Sequence, residues 1–413
     1  MPPFFDVRMR GFRDRTEVSD VLALLDARVG PLPAERVPLA HLAGRVLAAV
    51  VVSPVSVPGF TRAAMDGYAV RAEDTFGADA YNPRPLAVVG DALPAKPFAG
   101  TVGPGQAVRV MTGGPLPAGA DAVLMAEAAD PDPAAGRVLA REAVSPGRHV
   151  GRVGEDVAAG REVLPAGRVL RPQDVGLLAA VGVGAAEVVR RPRVAVLVTG
   201  DELLPPGAVP SGFRIVDSNS PMLAALAARD AAECLPVRPL PDRYEAVRDA
   251  IAAADADVVL VSGGSSVGQE DHAPRAVAEL GELPVHGVAL RPAAPTGVGF
   301  LPGKVVFLLP GNPVSCLCGY DLFAGRAVRR LGGRPPALPY RTTMARLASK
   351  LVSAVGRVDY ARVRLTAAGA EPIAVSGASI LSTTVVADGF VLVDRDREGF
   401  APEEEVTVHL YDR

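Results

Sequence analysis

Residues 258–271 read VVLVSGGSSVGQED, an unbroken apolar run followed by a loop of glycine, serine and acidic residues. Two similar apolar runs, at 194–198 and 305–309, also lead into polar loops. Continuous runs, unlike alternating ones, are typical of strands buried on both faces of a parallel sheet. Helical patterns separate the three runs, at residues 222–229, 244–254 and 273–280. This alternation indicates a doubly wound α/β domain over residues 191–330.

The loops after the three predicted strands carry residue types suited to phosphate and metal chemistry. They read TGDEL at 199–203, SGGSSVGQED at 262–271 and PGNPVS at 310–315. In doubly wound sheets, ligands bind beyond the carboxyl ends of the strands. Glycines let the backbone approach a phosphate, whereas the carboxylates of Glu202 and Asp271 suit Mg²⁺. The loops therefore predict Mg²⁺-assisted phosphate chemistry. The second loop is not a nucleotide P-loop, because no Gly-Lys-Ser/Thr sequence follows it.

The flanking sequence predicts domains before and after the α/β domain. An N-terminal domain is predicted from residues 1–50 and 146–190, with helices at 17–27, 39–49 and 173–181 and with Thr16 as the first N-cap. Residues 51–145 are rich in proline and glycine, with short β-type runs at 86–89, 106–111 and 122–124. They are predicted to form a small β-rich domain inserted into the N-terminal one.

The C-terminal region starts with a linker-like stretch, LGGRPPALP at 331–339. Alternating patterns follow at 360–365 and 391–393. Alternation of this kind is typical of strands with one buried face, so residues 331–413 are predicted to form a C-terminal β domain.

Composition and charge exclude several classes of protein. The 413-residue chain is 49% hydrophobic with a net charge of −3, which argues against a general nucleic-acid binder. Three cysteines and five histidines without ligand spacing exclude a disulfide framework and a zinc site of cysteines. The charged N-terminus lacks the apolar stretch of a signal peptide, and no apolar run is long enough to span a membrane. A cytoplasmic protein without nucleic-acid or membrane partners is expected.

Nine segments in a fixed order resemble the molybdopterin molybdenumtransferase family, of the MoeA and gephyrin E-domain type. They are GRVLA (44–48), AAMDGYAV (63–70), MTGGPLPAGADAV (111–123), GEDV (154–157), TGDEL, DSNS (217–220), SGGSSVGQED, PGNPVS and GRVDYARV (356–363). The resemblance implies an elongated four-domain subunit that forms a homodimer. It also implies an active site between the α/β domain of one subunit and the inserted domain of its partner.

The reaction implied by the resemblance is insertion of molybdate into adenylylated molybdopterin, with Mg²⁺ as cofactor and with release of AMP. The adenylyltransferase of the same pathway is an expected partner. The family's essential polar positions match Asp66, Thr112, Asp156, Glu202, Asp242 and Asp271, with Glu202 and Asp271 as the Mg²⁺ ligands. Its substrate-binding positions match Ser262, Gly263, Gly264, Ser266, Gly268, Arg291, Pro310, Gly311, Asn312, Pro313, Ser315 and either Arg357 or Arg362.

The chain departs from the family pattern near the expected oxyanion site. Where the family has Lys-Pro-Gly-Lys-Pro, this chain has Arg-Pro-Ala-Ala-Pro at 291–295, so the second lysine is Ala294. A further basic position matches Gly287. Weak molybdate binding is therefore expected. Two alternatives stay open: a non-catalytic pterin-binding or scaffold protein, favoured by the missing lysines, and another nucleotide-cleaving enzyme.

Overall fold

The computed structural model describes residues 15–264 and 272–411 and divides the chain into two compact units. The first unit consists of Met1–Glu35, Gly44–Ala48 and Val188–Arg413, and the second of Arg36–Ala43 and Ala49–Glu187. The division falls within the strands Ala34–Pro38 and Ala185–Val189. Within the described residues, no helix is both long and apolar enough to cross a membrane.

A seven-stranded sheet forms the centre of the first unit. Its strands are β1 (Arg193–Thr199), β2 (Glu233–Cys234), β3 (Arg238–Leu240), β4 (Val258–Ser262), β5 (Glu282–His286), β6 (Gly297–Leu301) and β7 (Lys304–Leu309). The strand order is β2-β1-β4-β7-β6-β5, and β3 also pairs with β1. Strands β1 to β4 and β7 are parallel, as predicted for the three apolar runs. Strands β5 and β6 form an antiparallel edge that the sequence patterns did not indicate.

Helices cover both faces of this sheet. They are α1 (Asn219–Arg229), α2 (Tyr244–Ala253), α3 (Ala273–Leu280), α4 (Pro313–Gly319) and α5 (Gly325–Leu331), with a π-helical segment, Tyr320–Ala324, between the last two. Alternate residues of β1 pack in different cores: Val196 with α1, α4 and α5, and Leu197 with α2 and α3. The doubly wound α/β domain predicted from the sequence is confirmed.

The first unit also contains a six-stranded C-terminal sheet. Its strands are Leu290–Arg291, Thr342–Arg346, Val358–Thr366, Gly369–Ala374, Gly389–Val393 and Glu405–Leu410. A short pair, Leu351–Val352 with Gly399–Phe400, and the helix Ser382–Val386 accompany it. Leu290–Arg291 pairs in parallel with the start of Val358–Thr366. A two-residue strand from the α/β region is therefore part of the C-terminal sheet.

The second unit contains another six-stranded sheet, within the residues predicted as a β-rich insertion. Its strands are Gly67–Val70, Arg84–Ala92, Gln106–Val110, Ala122–Met125, Ala129–Asp132 and Arg137–Ala140. Two short antiparallel pairs join Arg62–Ala63 to Val150–Gly151 and Val51–Val52 to Glu162–Leu164. The predicted helix near 173–181 forms as Pro172–Ala180.

Two local predictions near the N-terminus are wrong. The helix predicted over 39–49 is only a 3₁₀ turn, Leu39–His41, because Gly44 has φ +76° and Val46 accepts a backbone hydrogen bond from Val189. The first helix forms as Val18–Arg28, but Glu17 is its N-cap and no side chain caps it. Thr16 instead makes backbone hydrogen bonds to Gly287 and Ala289 (3.0 and 2.9 Å), which holds it in an extended conformation.

Candidate active site

A cavity of about 630 Å³ lies at the carboxyl ends of β1, β4 and β7. The polar loops predicted from the sequence form most of its wall. The predicted site residues that line it are Glu202, Asp242, Ser262, Gly263, Gly264, Pro310, Gly311, Asn312 and Pro313. The three strands lie next to one another in parallel, so their carboxyl ends meet at one edge. The fold therefore brings these loops together as expected for a doubly wound sheet.

Close backbone packing in this cavity requires glycine at position 263. Gly263 has φ +89°, a conformation that favours glycine. A Cβ atom built on it would lie 2.5 Å from the carbonyl oxygen of Thr199. Because β1 and β4 are neighbours, the loop after β4 passes directly against the end of β1. Only glycine combines this φ with this approach.

Asn219, at the start of helix α1, connects two of these loops, those after β4 and β7. Its Nδ2 donates hydrogen bonds to Ser262 Oγ (2.9 Å) and to the carbonyl oxygen of Gly311 (2.7 Å). Its Oδ1 is buried and has no hydrogen-bond partner among the described residues, and the same holds for Thr199 Oγ1. Both residues line the cavity. Buried polar atoms are normally satisfied, so these two atoms retain hydrogen-bonding capacity that the described residues do not use.

The carboxylate of Asp217 accepts hydrogen bonds from the backbone amides at the start of helix α1. Its Oδ1 accepts hydrogen bonds from the amides of Asn219 and Ser220, each 3.0 Å long, and Ser220 Oγ donates to Oδ2. A helix N-terminus is otherwise a ready anion site. Here a carboxylate of the chain itself fills it, so the start of α1 is not available to a phosphate group.

The cavity wall is acidic. Glu202, Asp217 and Asp242 line it, and within the described residues no lysine, arginine or histidine does. Asp242 is fixed by a hydrogen bond from the amide of Asp201 to its Oδ2 (3.0 Å). The described residues contain no cluster of three or more metal-ligating side chains. Mg²⁺ commonly uses only one or two carboxylates together with substrate phosphates and waters, so this donor set fits that ion.

Arg291 and Arg357, predicted to bind substrate, pair with a buried carboxylate and do not line the cavity. Arg291 Nε donates to Asp359 Oδ1 (2.9 Å), Arg357 Nε lies 3.3 Å from the same oxygen, and Ser353 Oγ donates to Oδ2 (2.6 Å). The Asp359 side chain is fully buried. Both positive charges are therefore at least partly compensated within the protein.

Two other predicted groups lie beneath the surface. Arg362 is fully buried, and its Nη2 donates to the carbonyl oxygen of Ser376, whereas its Nε and Nη1 have no hydrogen-bond partner among the described residues. Ser315 is buried in α4 and does not line the cavity. Its neighbour Cys316 lies 3.9 Å from Ser262 Oγ, and burial raises the pKa of its thiol to about 12. That thiol is a packing group, because a nucleophilic cysteine needs a thiolate.

The second unit brings Asp66 and Thr112 together. The backbone amide of Thr112 (2.6 Å) and its Oγ1 (2.8 Å) both donate to Asp66 Oδ1, and these two bonds lower the pKa of Asp66. Met65 and Met111, which precede them in the chain, are 40% and 51% exposed. Asp156 is exposed in the same unit, and its amide donates to the carbonyl oxygen of Val57 (3.1 Å).

Three predicted site residues, Ser266, Gly268 and Asp271, lie outside the described residues. The sequence patterns also missed several residues that the structure places in the cavity wall. These are Thr199, Gly200, Asp217, Ser218, Asn219, Pro295 and Ser379. The segments TGDEL and DSNS contain five of them. TGDEL lies at the end of a predicted buried strand and DSNS lies at the start of a predicted helix, and these positions could have identified the five residues as part of the site. Ser379 comes from the C-terminal region, and no local pattern marks it.

Comparison with family models covers most of the chain. Residues 16–182 match the model described as "MoeA N-terminal region (domain I and II)". Residues 195–330 match "Probable molybdopterin binding domain", and residues 344–411 match "MoeA C-terminal region (domain IV)". The three matches follow the order of the segments quoted above.

Individual relatives extend over nearly the same length. The chain is 39% identical over 343 residues to "Molybdopterin molybdenumtransferase 2" of Mycobacterium tuberculosis, covering 80% of this chain and 82% of the relative. It is 31% identical over 393 residues to "Molybdopterin molybdenumtransferase" of Haemophilus influenzae, covering 92% and 95%. A crystal structure of the molybdopterin biosynthesis MoeA protein of Pyrococcus horikoshii superposes with a TM-score of 0.82 at 33% identity, covering 97% of this chain and 100% of that one.

Proposed function

This chain belongs to the molybdopterin molybdenumtransferase family of molybdenum cofactor biosynthesis enzymes, and we propose that it inserts molybdate into adenylylated molybdopterin with Mg²⁺ and releases AMP. The observation that supports the reaction most directly is the charge of the cavity. Its described wall carries three carboxylates and no basic side chain. A pyrophosphate-containing substrate would be repelled by such a wall unless a divalent cation came with it.

The carboxylates of the wall have defined roles in this proposal. Glu202, together with Asp271 of the second loop, would hold Mg²⁺, and Asp242, which lines the same cavity, would add a further carboxylate to the site. Mg²⁺ held by these carboxylates would supply charge neutralisation of the pyrophosphate and Lewis-acid polarisation of its phosphorus. The backbone at Gly263, Gly264, Gly311 and Asn312 approaches the phosphate oxygens, with Ser262 in the same wall. The assignment of Ser266 and Gly268 to substrate binding rests on the family resemblance alone. The uncommitted Thr199 Oγ1 and Asn219 Oδ1 hydrogen-bond the substrate or its water.

The oxyanion end of the site is proposed near Pro295, Pro310, Pro313 and Ser379, which line the cavity. Ser315 supports this end from within α4. Arg291 and Arg357 act there through Asp359, because that carboxylate already binds them. They are positioning residues in this proposal, and molybdate is held mainly by hydroxyl and amide donors.

Asp66, Thr112 and Asp156 are proposed to complete the active site of the partner subunit in a homodimer. The hydrogen bonds from Thr112 lower the pKa of Asp66, whose side chain is exposed. The exposed Met65 and Met111 beside it would be covered in such an interface. Mixing Asp66→Ala subunits with Glu202→Ala subunits, each inactive alone, is expected to restore AMP release. A monomer in light scattering at micromolar concentration would contradict the composite site.

The central experiment is an insertion assay. Purified protein is incubated with adenylylated molybdopterin, Mg²⁺ and molybdate, and both AMP release and the molybdenum-loaded product are measured. The proposal requires both to depend on molybdate and on Mg²⁺. The adenylyltransferase that makes this substrate is the expected supplying partner, so coupled production of the substrate serves as a second format.

A non-catalytic pterin-binding or scaffold role is the second candidate. It is favoured by the charge at the proposed oxyanion end. No basic side chain of the described residues lines the cavity, positions 287 and 294 are Gly and Ala, and Arg291 pairs with Asp359. Tight binding of adenylylated molybdopterin without AMP release, at any molybdate concentration, would support this role and contradict the enzymatic one.

A further inference from the structure

A small recess lined by four arginines lies at the amino end of β1, away from the candidate active site. The arginines are Arg45, Arg190, Arg191 and Arg334, and no carboxylate of the described residues lines the recess with them. Pro192, directly before β1, is part of the same wall, whereas the acidic cavity lies at the carboxyl end of that strand. A strand of seven residues separates the two sites by about 20 Å. We refer to this site below as the arginine recess.

Two of the four arginines are paired with carboxylates that lie outside the recess. Arg45 Nη2 donates to Glu35 Oε1, and the Arg45 side chain is buried. Arg190 donates to both carboxylate oxygens of Asp257, over 2.7 and 3.1 Å. The charges of these two arginines are therefore compensated within the protein, and all residues that line the recess belong to the first unit.

The other two arginines, Arg191 and Arg334, have no carboxylate within ion-pair distance among the described residues. Arg191 is exposed, whereas Arg334 is half-buried and its Nη2 donates to the carbonyl oxygen of Gly44. Burial lowers the pKa of Arg334, Asp230 raises it, and the charge of Arg191 lowers it further. The guanidinium groups of Arg191 and Arg334 thus repel each other, and their charge is not compensated by a carboxylate of the recess.

Neither helix capping nor the nearby Asp230 accounts for this excess of positive charge. Helix α5 ends just before the recess, but the backbone amides of residues 332–334 already donate to carbonyl oxygens of residues 328–330, over 2.8–3.0 Å. The Asp230 carboxylate is bound by Arg229 (3.2 Å) and Arg329 (3.0 Å). The side chains of Arg191 and Arg334 are therefore not required at these sites, and they remain available to an anion from solution.

A partly buried excess of positive charge is stabilised by an anion, and the planar guanidinium fork matches the oxygens of a phosphate. We propose that the arginine recess binds inorganic phosphate through Arg191 and Arg334. The recess has room for about one water-sized group, about 10 Å³, so one phosphate oxygen enters it and the others stay at the exposed Arg191. This site does not depend on the proposed function.

A phosphate in the recess would connect parts of the chain that are far apart in sequence. The lining residues come from segments 44–46, 189–192 and 332–334, with Ala231 after helix α1. The last of these segments begins the connection from α5 to the C-terminal sheet. Phosphate binding is therefore expected to stabilise the folded protein, because the unfolded chain does not bring these segments together.

The first test measures binding of inorganic phosphate to the full-length protein by calorimetry at constant ionic strength. Mg²⁺ is omitted, because without it the acidic cavity repels phosphate. Wild type is expected to bind one phosphate per chain. Arg191→Gln and Arg334→Gln are each expected to weaken this binding about tenfold, because each removes one charge from a partly screened site. Arg364→Gln is the matched control, since Arg364 is exposed and does not line the recess.

The second test separates anion binding from a purely structural role of the arginines. In phosphate-free buffer, Arg191→Gln is expected to unfold at the same temperature as wild type or a higher one, because it removes the charge that repels Arg334. With phosphate at the same ionic strength, wild type should unfold at the higher temperature, because only wild type binds the anion tightly. A structural role of Arg191 predicts instead that the variant is less stable in both buffers.

The outcomes decide the proposal whether or not the protein inserts molybdate. Weaker phosphate binding in Arg191→Gln together with normal binding in Arg364→Gln would uphold it. Unchanged phosphate binding in Arg191→Gln would overturn it, and so would equal stabilisation of wild type by chloride and by phosphate at one ionic strength. Because Arg191 is exposed, its variant is expected to fold, so the result does not depend on the half-buried Arg334.

Discussion

Arg291 lies directly opposite Asp359 across a parallel strand pair, and its Nε donates a 2.9 Å hydrogen bond to the buried carboxylate. The two residues are 68 positions apart, and only the pairing of Leu290–Arg291 with the C-terminal sheet brings them together. The family resemblance assigns the positive charge of Arg291 to molybdate binding. In the structure this charge pairs with Asp359 and helps to hold the C-terminal sheet to the α/β domain.

Asp359→Asn is expected to destabilise the protein by about 2–3 kcal/mol. The substitution keeps the shape of the side chain, but the amide cannot accept the hydrogen bonds of Arg291 and Ser353 equally well, and it carries no charge to pair with Arg291 and Arg357. Urea unfolding measures the change. Asp396→Asn is the control, because that side chain is 84% exposed. Equal free energies of unfolding for the two variants would contradict the role of Asp359.

Gly263→Ala is expected to cost about 2–4 kcal/mol and to abolish AMP release. The added methyl group would meet the carbonyl oxygen of Thr199 at 2.5 Å, in a backbone with φ +89°. Gly207→Ala separates the two effects, because Gly207 has φ +91° but no atom within 4 Å of its Cβ position. It should cost only about 1 kcal/mol. If thermal unfolding shows the same loss for both variants, the close approach to β1 is not the cause.

Glu202→Gln is expected to raise the Mg²⁺ concentration for half-maximal AMP release about tenfold, because one negative charge at the metal is lost. The folding stability should hardly change, since Glu202 is exposed. Glu245→Gln makes the same change at an exposed position of α2, and its Mg²⁺ dependence should equal that of wild type. A Glu202→Gln enzyme with an unaltered Mg²⁺ curve would remove this residue from the metal site.

Thr112→Val is expected to raise the pKa of Asp66 toward its ordinary value. The backbone amide bond would remain, but the hydroxyl bond that also lowers this pKa would be lost. Because the folded pKa lies below the unfolded one, the stabilising effect exists above the unfolded pKa and disappears as the pH falls through the folded value. NMR titration of the Asp66 carboxyl carbon measures the shift. Thr112→Ser keeps the donor and should titrate as wild type does, so an equal rise in both variants would refute the explanation.

Ala294→Lys is expected to lower the molybdate concentration for half-maximal insertion by about tenfold, which corresponds to about 1–2 kcal/mol at a partly screened site. Ala294 is partly exposed and precedes Pro295 in the cavity wall, so a lysine there can place its ammonium near the proposed oxyanion end. Binding of AMP should stay nearly unchanged. A molybdate requirement that is unaltered or higher would show that another group has taken over the role of the family lysine.

The sequence alone determined the α/β core and the loops at its edge. Strands such as Val258–Ser262 are buried on both faces, and burial of this kind requires a continuous apolar run that can be recognised locally. A polar loop after such a run must lie at a strand end, so the cavity positions of Glu202, Ser262 and Asn312 followed from spacing. The nine segments that resemble the family could also be recognised from the sequence, because each is a local pattern of consecutive residues.

The tertiary structure decided which polar groups are free. Among the residues that the structure describes, Thr199 and Asn219 each keep a side-chain oxygen without a hydrogen-bond partner. Asp217 accepts the amides at the start of α1, and Arg291 pairs with Asp359. Strand pairing and register bring together residues that are far apart in sequence, and no local pattern encodes them. The same reason explains why Ser379 was missed and why the region near Val46 forms backbone bonds to Val189 instead of the helix predicted over 39–49. Local hydrophobic spacing fixes the elements of this chain, whereas long-range pairing decides which charges and hydrogen-bonding atoms remain available to a substrate.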